Sequence, residues 1–247
     1  MDINQYLDST YLKTAEQAGI SETETENKVK ELVNEAIENN FKLAMIRPQF
    51  VAMARKMAKE ANSSTLIGTV IGFHEGTYET SQKLAEAQKA VDDGADELDF
   101  VVNYEAFKAG KINLVKSEVF KGTKLGLDNN KAVKWIIEIA ALTNDEIIGL
   151  SQLIRDVALD NFGQENAQNV FVKSSTGFFK TEEGKPNGAT FEAMELIVEN
   201  SKPLQAKAAG GVRNYDDAVK MVKMGVTRIG TSAAKLIADG GKTTEAY

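Results

Sequence analysis

The sequence predicts an α/β protein with a single-domain (β/α)8 TIM-barrel fold. Apolar β-type segments recur along the chain with helix-like segments between them, which is the pattern of repeated βα units and a parallel sheet. Eight such units fit into 247 residues, a usual length for one barrel domain. No linker rich in Gly, Ser or Pro interrupts the chain, and no Gly-x-Gly-x-x-Gly fingerprint follows a strand. A closed barrel is therefore favoured over an open doubly wound sheet.

The order of the elements supports this fold. Strands are expected near residues 6–10, 43–47, 66–73, 95–103, 133–139, 170–176, 204–209 and 227–231. The first long helix is clearly marked, because Ser21 and Glu24 form a capping-box pattern ahead of apolar residues at helical spacing. Helices are expected near residues 21–39, 49–61, 78–93, 111–122, 144–161, 190–200, 214–224 and 231–238, with short loops at 124–130 and 184–188.

Composition and charge exclude several classes of function and of functional site. A formal net charge of −7 argues against non-specific binding of nucleic acid, although a local basic pocket for a phosphate is compatible with this charge. No apolar run approaches 18 residues and the start lacks a basic-then-apolar pattern, so we expect neither a membrane span nor export, and hence a cytoplasmic location. The absence of cysteine excludes thiolate catalysis. His74 is the only histidine, which excludes a multi-histidine metal site and leaves it as an expected loop or rim residue.

Two lysines lie inside segments that otherwise read as buried strands. Lys173 occurs in Val170–Gly177 and Lys207 occurs in Leu204–Gly211. Burial disfavours an ammonium and lowers the pKa of a lysine, and the neutral amine that results is a nucleophile. Lysines that protect an edge strand or extend to solvent are the alternative. Two such lysines, each followed by a glycine-containing turn, favour a site for Schiff-base chemistry.

Other charged residues within strands are candidates for the same site, because functional groups of a barrel collect at the carboxyl ends of its strands. They are Asp8, Asp99, Lys134 and Glu138. A carboxylate beside ammonium groups stays ionised and can pass protons through water, and we assign this role to Asp99. Lys134 and Glu138 are four residues apart and share one strand face, so a purely structural ion pair between them is an equal alternative.

Glycine-containing segments after the last two strands indicate an anion site. Gly210 and Gly211 follow strand seven, and Gly230, Thr231 and Ser232 follow strand eight as a helix begins. Backbone N–H groups and a helix N-terminus at this place form the usual phosphate site of a barrel. Arg213 either supports that site or lies on the surface.

Five segments together give a specific family resemblance. They are Leu7–Lys13, Val70–Phe73, Gly94–Asp99, Lys173–Phe178 and Lys207–Arg213. With them the chain resembles the deoxyribose-phosphate aldolases, a family of class I aldolases, from about Tyr6 to Tyr247. Members cleave 2-deoxy-D-ribose 5-phosphate reversibly to D-glyceraldehyde 3-phosphate and acetaldehyde, without a metal or other cofactor.

The resemblance implies roles for individual residues. Lys173 is the Schiff-base lysine, Lys207 lowers its pKa and relays protons, and Asp99 is the proton-relay acid. Tyr247 matches a tyrosine that assists proton transfer from a flexible tail, here residues 239–247, for which a frayed terminus is the alternative. Substrate-binding positions are expected at Asp8, Thr10, Thr176, Gly177, Gly210, Gly211, Gly230, Thr231 and Ser232.

Three departures from the family pattern stand out. The family often has Pro-Leu-Gly where this chain has His74, Glu75 and Gly76, so the rim there is expected to differ. Thr231, Ser232 and Ala233 replace Ala-Ser-Ser, which removes one hydroxyl expected near the phosphate. Met45 stands where some members carry a cysteine.

The expected partners are a small-molecule sugar phosphate and aldehydes, and the sequence leaves a homodimer open. Two other functions compete with this one. A transaldolase-like enzyme would use the same Schiff base on a longer ketose phosphate. A non-catalytic barrel that binds phosphosugars would use the lysines only to pair with Asp99 and Glu138.

Overall fold

The structure is a computed structural model that describes residues 1–182 and 185–241. A closed barrel of eight parallel strands forms the centre of the protein. The strands are β1 (Leu7–Thr10), β2 (Leu43–Ile46), β3 (Leu66–Ile71), β4 (Glu97–Val101), β5 (Ala132–Ile136), β6 (Val170–Lys173), β7 (Gln205–Ala209) and β8 (Arg228–Thr231). They pair in chain order, and β8 closes the barrel against β1 with Asp8 beside Gly230. The predicted fold class is confirmed.

Helices surround the barrel in the predicted alternation. They are α1 (Ala15–Ala18), α2 (Glu22–Glu38), α3 (Val51–Glu60), α4 (Thr80–Asp92), α5 (Tyr104–Lys108), α6 (Ile112–Asp128), α7 (Asn144–Phe162), α8 (Phe191–Ser201), α9 (Tyr215–Lys223) and α10 (Ala234–Ala238). The capping box before α2 is confirmed, with the Ser21 hydroxyl accepting from the Glu24 N–H and a Glu24 oxygen accepting from the Ser21 N–H. The short helices α1 and α5 were not expected. No helix within residues 1–182 and 185–241 is both long and apolar enough to span a membrane.

Several predicted boundaries are wrong. β5 and β6 each end three residues before the expected position, at Ile136 and Lys173, and two helices also differ. Most of the expected loop at 124–130 belongs to α6, because Gly126 is a packing residue whose missing side chain lets the helix lie against Val133 of β5. The helix expected from residue 231 begins at Ala234, because Thr231 still belongs to β8. The expected loop at 184–188 lies partly outside the described residues.

The apolar core lies between the barrel and the helices. Trp135 of β5 shows the outward packing: its ring stacks on Phe100 of β4, and its Nε1 donates to the Thr123 hydroxyl of α6 at 3.0 Å. Because side chains alternate along a strand, the neighbouring positions Asp99 and Lys134 point into the barrel. The barrel interior, which is usually filled by branched apolar residues, therefore carries charges here.

Candidate active site

Three residues predicted from the sequence to form the catalytic centre meet inside the barrel. Lys173 ends β6 and lies beside Lys207 of β7 in the strand register. Both Nζ atoms donate to Oδ2 of Asp99 in β4, each at 2.9 Å. All three side chains are buried, so their charges interact with little screening by water.

Lys207 also contacts a second carboxylate. Its Nζ lies 2.5 Å from Oδ2 of Asp8 on β1. The other oxygen of Asp8 accepts from Arg228 of β8, whose Nε and Nη2 lie 2.8 and 2.6 Å away. Lys207 thereby lies between two carboxylates, and both oxygens of Asp8 contact cationic side chains of the barrel interior.

Further contacts lead from Arg228 back to Asp99 and so form a closed ring. Nη1 of Arg228 donates to Glu97 at 2.8 Å, Glu97 pairs with Lys134, and Lys134 donates to Oδ1 of Asp99 at 2.8 Å. The result is a ring of alternating charges, which we call the charge ring: Asp8, Lys207, Asp99, Lys134, Glu97 and Arg228. It holds three carboxylates and three cations and is balanced by itself. Lys173 attaches to the ring as one cation more.

Lys173 has a lower pKa than an exposed lysine, chiefly because it is buried. Burial lowers the pKa of Lys173 to about 8, with Lys207 and Lys134 adding to the decrease and Asp99 opposing it. Despite its own burial, the pKa of Asp99 is held well below the ordinary value by Lys134, Lys173 and Lys207. With a pKa near 8, about a tenth of Lys173 is a neutral amine at pH 7. The arrangement thus provides a buried nucleophilic amine beside a fixed anion.

The predicted alternative of an ion pair between Lys134 and Glu138 is wrong. Lys134 pairs with Glu97 and Asp99. Glu138 lies two residues beyond the end of β5, where its backbone takes a left-handed conformation with φ 57°, so it no longer shares the strand face of Lys134. One of its carboxylate oxygens, Oε2, instead accepts from the backbone N–H of Thr176 at 3.2 Å and from the Thr176 hydroxyl.

A small cavity adjoins Lys173, with a volume of about 20 Å³. Six of the predicted substrate-binding residues line it: Thr10, Thr176, Gly177, Gly210, Gly230 and Thr231. This volume holds about one water molecule, so a sugar phosphate requires movement of the surrounding side chains or loops.

The glycine pair after β7 leads from this cavity into a larger one. Gly210 and Gly211 have φ values of 74° and 81°, a left-handed backbone that favours glycine. Gly211 lines a neighbouring cavity of about 420 Å³ together with Arg213 and Lys185. Of the two roles left open for Arg213, its position beside Gly211 favours support of an anion site.

Three of the predicted substrate-binding positions, including Thr231 of the small cavity, have other contacts or surroundings. The Thr231 hydroxyl donates to the Val212 carbonyl at 2.9 Å and accepts from the Ala233 N–H at 3.0 Å, so it holds two loops together. Ser232 is exposed, and the helix after it has five residues, too few to supply a strong N-terminal anion site. Asp8 lies among the charges of the barrel interior. Direct contact of these three with substrate stays a prediction.

Comparison with known proteins agrees with this geometry. The family model described as DeoC/LacD family aldolase matches residues 7–235. The chain belongs to the DeoC/LacD aldolase family. The deoxyribose-phosphate aldolase of Thermococcus gammatolerans is 35% identical over 246 residues, covering 99% of each chain. That of Lactiplantibacillus plantarum is 34% identical over 238 residues, covering 96% of this chain and 99% of its own.

Solved structures of the same kind show the same fold. The aldolase named QR15 is 31% identical, with a TM-score of 0.80 over 97% of this chain and 95% of its own. The deoxyribose phosphate aldolase of Aeropyrum pernix, described as a unique tetramer, is 28% identical, with a TM-score of 0.76 over 96% of this chain and 89% of its own.

In this DeoC/LacD family aldolase the departure at His74 builds an aromatic rim. The His74 ring stacks on Phe178 with centroids 5.5 Å apart, and Phe73 meets Phe178 edge-on at 5.2 Å. His74 lines a cavity of about 500 Å³ on that side, which also includes Tyr104 and Gly177. Because Gly177 also lines the Lys173 cavity, the two cavities adjoin, and the prediction of His74 as a rim residue is confirmed.

Sequence reasoning missed several buried charges of this aldolase. Glu97 and Arg228 belong to the charge ring, and the criterion that found the lysines, a charge within an apolar strand, applies equally to Arg228. Lys83 and Glu118 form a separate buried pair, 2.6 Å apart. Lys83 also donates to the carbonyls of Gly76 and Val101, which ties the segment with His74 to the end of β4. Its position on the buried stripe of α4 was the available signal.

The remaining predictions concern metals and the tail. Within residues 1–182 and 185–241, no group of three or more His, Asp or Glu side chains is arranged to hold a metal ion. Tyr247 lies outside the described residues, as does the predicted flexible tail beyond Gly241.

Proposed function

We propose that the protein is a deoxyribose-phosphate aldolase, which reversibly cleaves 2-deoxy-D-ribose 5-phosphate to D-glyceraldehyde 3-phosphate and acetaldehyde through a Schiff base on Lys173. The observation that carries this proposal is the balanced charge ring, which leaves Lys173 as the excess cation beside a cavity lined by glycine and threonine. The names of the relatives at 34–35% identity support the choice of substrate.

The first step is attack by the neutral amine of Lys173 on the C1 aldehyde of the open-chain sugar. Loss of water from the carbinolamine gives a protonated imine. The positive charge of this iminium replaces the ammonium charge that Asp99 already faces at 2.9 Å, so the site needs little rearrangement to stabilise it.

The second step breaks the C2–C3 bond. A base removes the proton of the C3 hydroxyl, the C3 oxygen becomes the aldehyde of glyceraldehyde 3-phosphate, and the electrons of the broken bond move into the iminium to give an enamine. Protonation of the enamine at its terminal carbon and addition of water then release acetaldehyde and the free lysine. Asp99 and Lys207 lie close enough to Lys173 to exchange these protons through water.

The phosphate group is proposed to bind beyond the glycine pair. Gly210 lines the Lys173 cavity, Gly211 lines the next one, and Lys185 and Arg213 supply positive charge there. Backbone N–H groups of Gly230 and Ser232 complete the proposed anion site. Binding of this remote phosphate holds the reacting carbons against Lys173 and contributes to the rate.

A direct assay tests the function. The protein is incubated with 2-deoxy-D-ribose 5-phosphate, and the two aldehydes are identified by NMR. Glyceraldehyde 3-phosphate and acetaldehyde in equal amounts support the proposal. A trapped donor of three carbons would indicate a transaldolase-like enzyme, and the absence of turnover with retained binding of the sugar phosphate would indicate a non-catalytic barrel.

Assembly and location complete the proposal. We propose that the protein forms a homodimer. The relative from Aeropyrum pernix is described as a tetramer, and light scattering coupled to size-exclusion chromatography distinguishes a dimer from a tetramer. A cytoplasmic location rests on the sequence pattern, and cell fractionation tests it.

A further inference from the structure

Glu138 has three properties that the reaction described above does not use. Its side chain is buried, with 1% exposed. Its backbone is left-handed at φ 57° and ψ 69°, which is uncommon for a residue other than glycine and is found where the surroundings hold it in place. Its Oε1 atom is buried without a hydrogen-bond partner among the described residues.

The other carboxylate oxygen holds the segment that follows the Schiff-base lysine. Oε2 accepts from both the N–H and the hydroxyl of Thr176, three residues after Lys173. The Thr176 hydroxyl oxygen in turn accepts from the Phe178 N–H at 3.0 Å. A single carboxylate therefore fixes residues 176–178 by two direct bonds and one bond through Thr176.

This segment forms the boundary between the two cavities of the site. Thr176 and Gly177 line the cavity at Lys173, while Gly177 and Phe178 line the cavity of about 500 Å³ beside His74. Phe178 also carries the stacked ring of His74. By holding residues 176–178, Glu138 therefore helps to fix the walls of both cavities.

Two ionisable groups on neighbouring elements face Glu138. Lys173 of β6 attracts the negative charge of Glu138, and this charge in turn raises the pKa of Tyr104 of α5. Burial raises the pKa of Glu138 to about 7, against the hydrogen bonds from Thr176 and the attraction of Lys173. Burial and the nearby carboxylates of Glu138, Glu105 and Glu75 raise the pKa of Tyr104 to about 12. Of Glu138 and Tyr104, only the carboxyl group of Glu138 changes charge near neutral pH.

We propose that Glu138 is a positioning residue of this active site, which anchors residues 176–178 beside Lys173 and, when ionised, supplies a second negative charge that favours the iminium. The proposal rests on the proposed function, because it assigns the iminium to Lys173. Protonation of Glu138 removes that charge and weakens its acceptance of the Thr176 bonds, so both effects decrease together at lower pH.

Three variants separate the two parts of this role. In Glu138→Gln the amide oxygen still accepts from Thr176 but the charge is gone. In Glu138→Ala both are lost. In Thr176→Val the hydroxyl bond is lost while the charge remains. Glu105→Gln is the matched control, because it removes an exposed carboxylate next to Tyr104 that has no contact with Thr176.

The first measurement is amide hydrogen exchange of residues 175–178, which does not depend on activity. We expect exchange to rise at least tenfold in Glu138→Ala and in Thr176→Val, to rise less in Glu138→Gln because its neutral amide oxygen is a weaker acceptor, and to remain near wild type in Glu105→Gln. Unchanged exchange in both Glu138→Ala and Thr176→Val would overturn the anchoring role. If Glu138→Ala does not fold, Thr176→Val decides alone.

The second measurement is the pH profile of imine formation, followed by borohydride trapping with acetaldehyde. Besides the inflection that Lys173 gives near pH 8, we expect a second inflection near pH 7 in the wild type and in Glu105→Gln that is absent from Glu138→Gln. An unchanged profile in Glu138→Gln would overturn the charge role. A wild type that forms no adduct on Lys173 at any pH would refute the proposed function and the charge role with it, while the exchange result would still decide the anchoring role.

Discussion

Lys173 and Lys207 donate to the same oxygen, Oδ2 of Asp99, at 2.9 Å each. Their other surroundings differ, because Lys207 also lies 2.5 Å from Asp8 while Lys173 has Asp99 as its one carboxylate partner among the described residues. Two ammonium groups that share one anion repel each other, and the group with less compensation loses its proton first. This asymmetry supports the proposal that Lys173 is the nucleophile and that Lys207 is the cation that promotes its deprotonation.

Replacement of Lys207 tests this division of roles. In Lys207→Leu the repulsion between Lys207 and Lys173 is removed while Asp99 remains, so we expect the pKa of Lys173 to rise above about 8. Turnover at pH 7 should fall by orders of magnitude, and the inflection for imine formation should move to higher pH. Circular dichroism should show a retained fold.

The matched control for that variant is Lys223→Leu, since Lys223 is exposed at the end of α9. It should have the activity and the pH profile of the wild type. Near-normal turnover of Lys207→Leu at pH 7 would show that Lys207 does not tune Lys173.

The phosphate site can be tested with the substrate itself. We expect 2-deoxy-D-ribose without phosphate to react at least a hundredfold less efficiently in kcat/KM, because the binding energy of the remote group is lost. Arg213→Ala should reduce kcat/KM about tenfold or more for the phosphorylated sugar and leave the reaction of the free sugar unchanged. Equal efficiency on both sugars would mean that no phosphate site operates.

The tail prediction concerns Tyr247, which lies outside the described residues. If its phenol transfers a proton at the acetaldehyde carbon, Tyr247→Phe should slow the exchange of acetaldehyde methyl protons with solvent more than it slows imine formation. NMR of acetaldehyde in deuterated water measures the exchange, and borohydride trapping measures imine formation. Unchanged exchange would leave the tail without a catalytic role.

Glu138 gives a pH-dependent contribution to stability whose sign can be worked out. Burial raises its pKa from 4.5 to about 7, so the folded protein holds this proton more strongly than the unfolded chain does. Below pH 4.5 both states are protonated and nothing is lost. As the pH rises from about 4.5 to 7 the stability falls, and above 7 the loss is complete, up to about 3 kcal/mol.

Glu138→Gln removes this titration. The stability of the variant relative to wild type should therefore increase between pH 4.5 and 7 in urea unfolding experiments. The same comparison for Glu105→Gln should show a much smaller trend. A constant difference between wild type and Glu138→Gln across this range would contradict the raised pKa.

The meeting of three side chains at the candidate site could be predicted because the sequence signal is local. Lys173, Lys207 and Asp99 are charges in apolar strands, and the alternation of a strand places them inside the barrel. Glu138 could not be placed this way, because the left-handed turn after β5 changes the direction of its side chain, and nothing in the strand pattern indicates that turn. The C-terminal end of α6 was predicted too early because of Gly126. In the sequence, a glycine that is required for helix packing cannot be distinguished from a glycine in a loop.

The charge ring shows a second limit. Arg228 and Asp8 are separated by 220 residues in sequence, and their contact exists only because β8 closes against β1. The individual charges are visible in the sequence, whereas the balance of three cations and three carboxylates depends on the register of five strands. This balance, rather than any single neighbour, is what makes Lys173 the excess cation.

The assignment of the nucleophile is tested most directly by borohydride reduction in the presence of acetaldehyde, followed by peptide mapping. Lys173→Leu serves as the control for specific labelling. We expect one two-carbon adduct per chain, on Lys173, in the wild type and its loss in Lys173→Leu. An adduct mainly on Lys207 or Lys134, or no adduct at all, would contradict the role of Lys173 as the Schiff-base lysine.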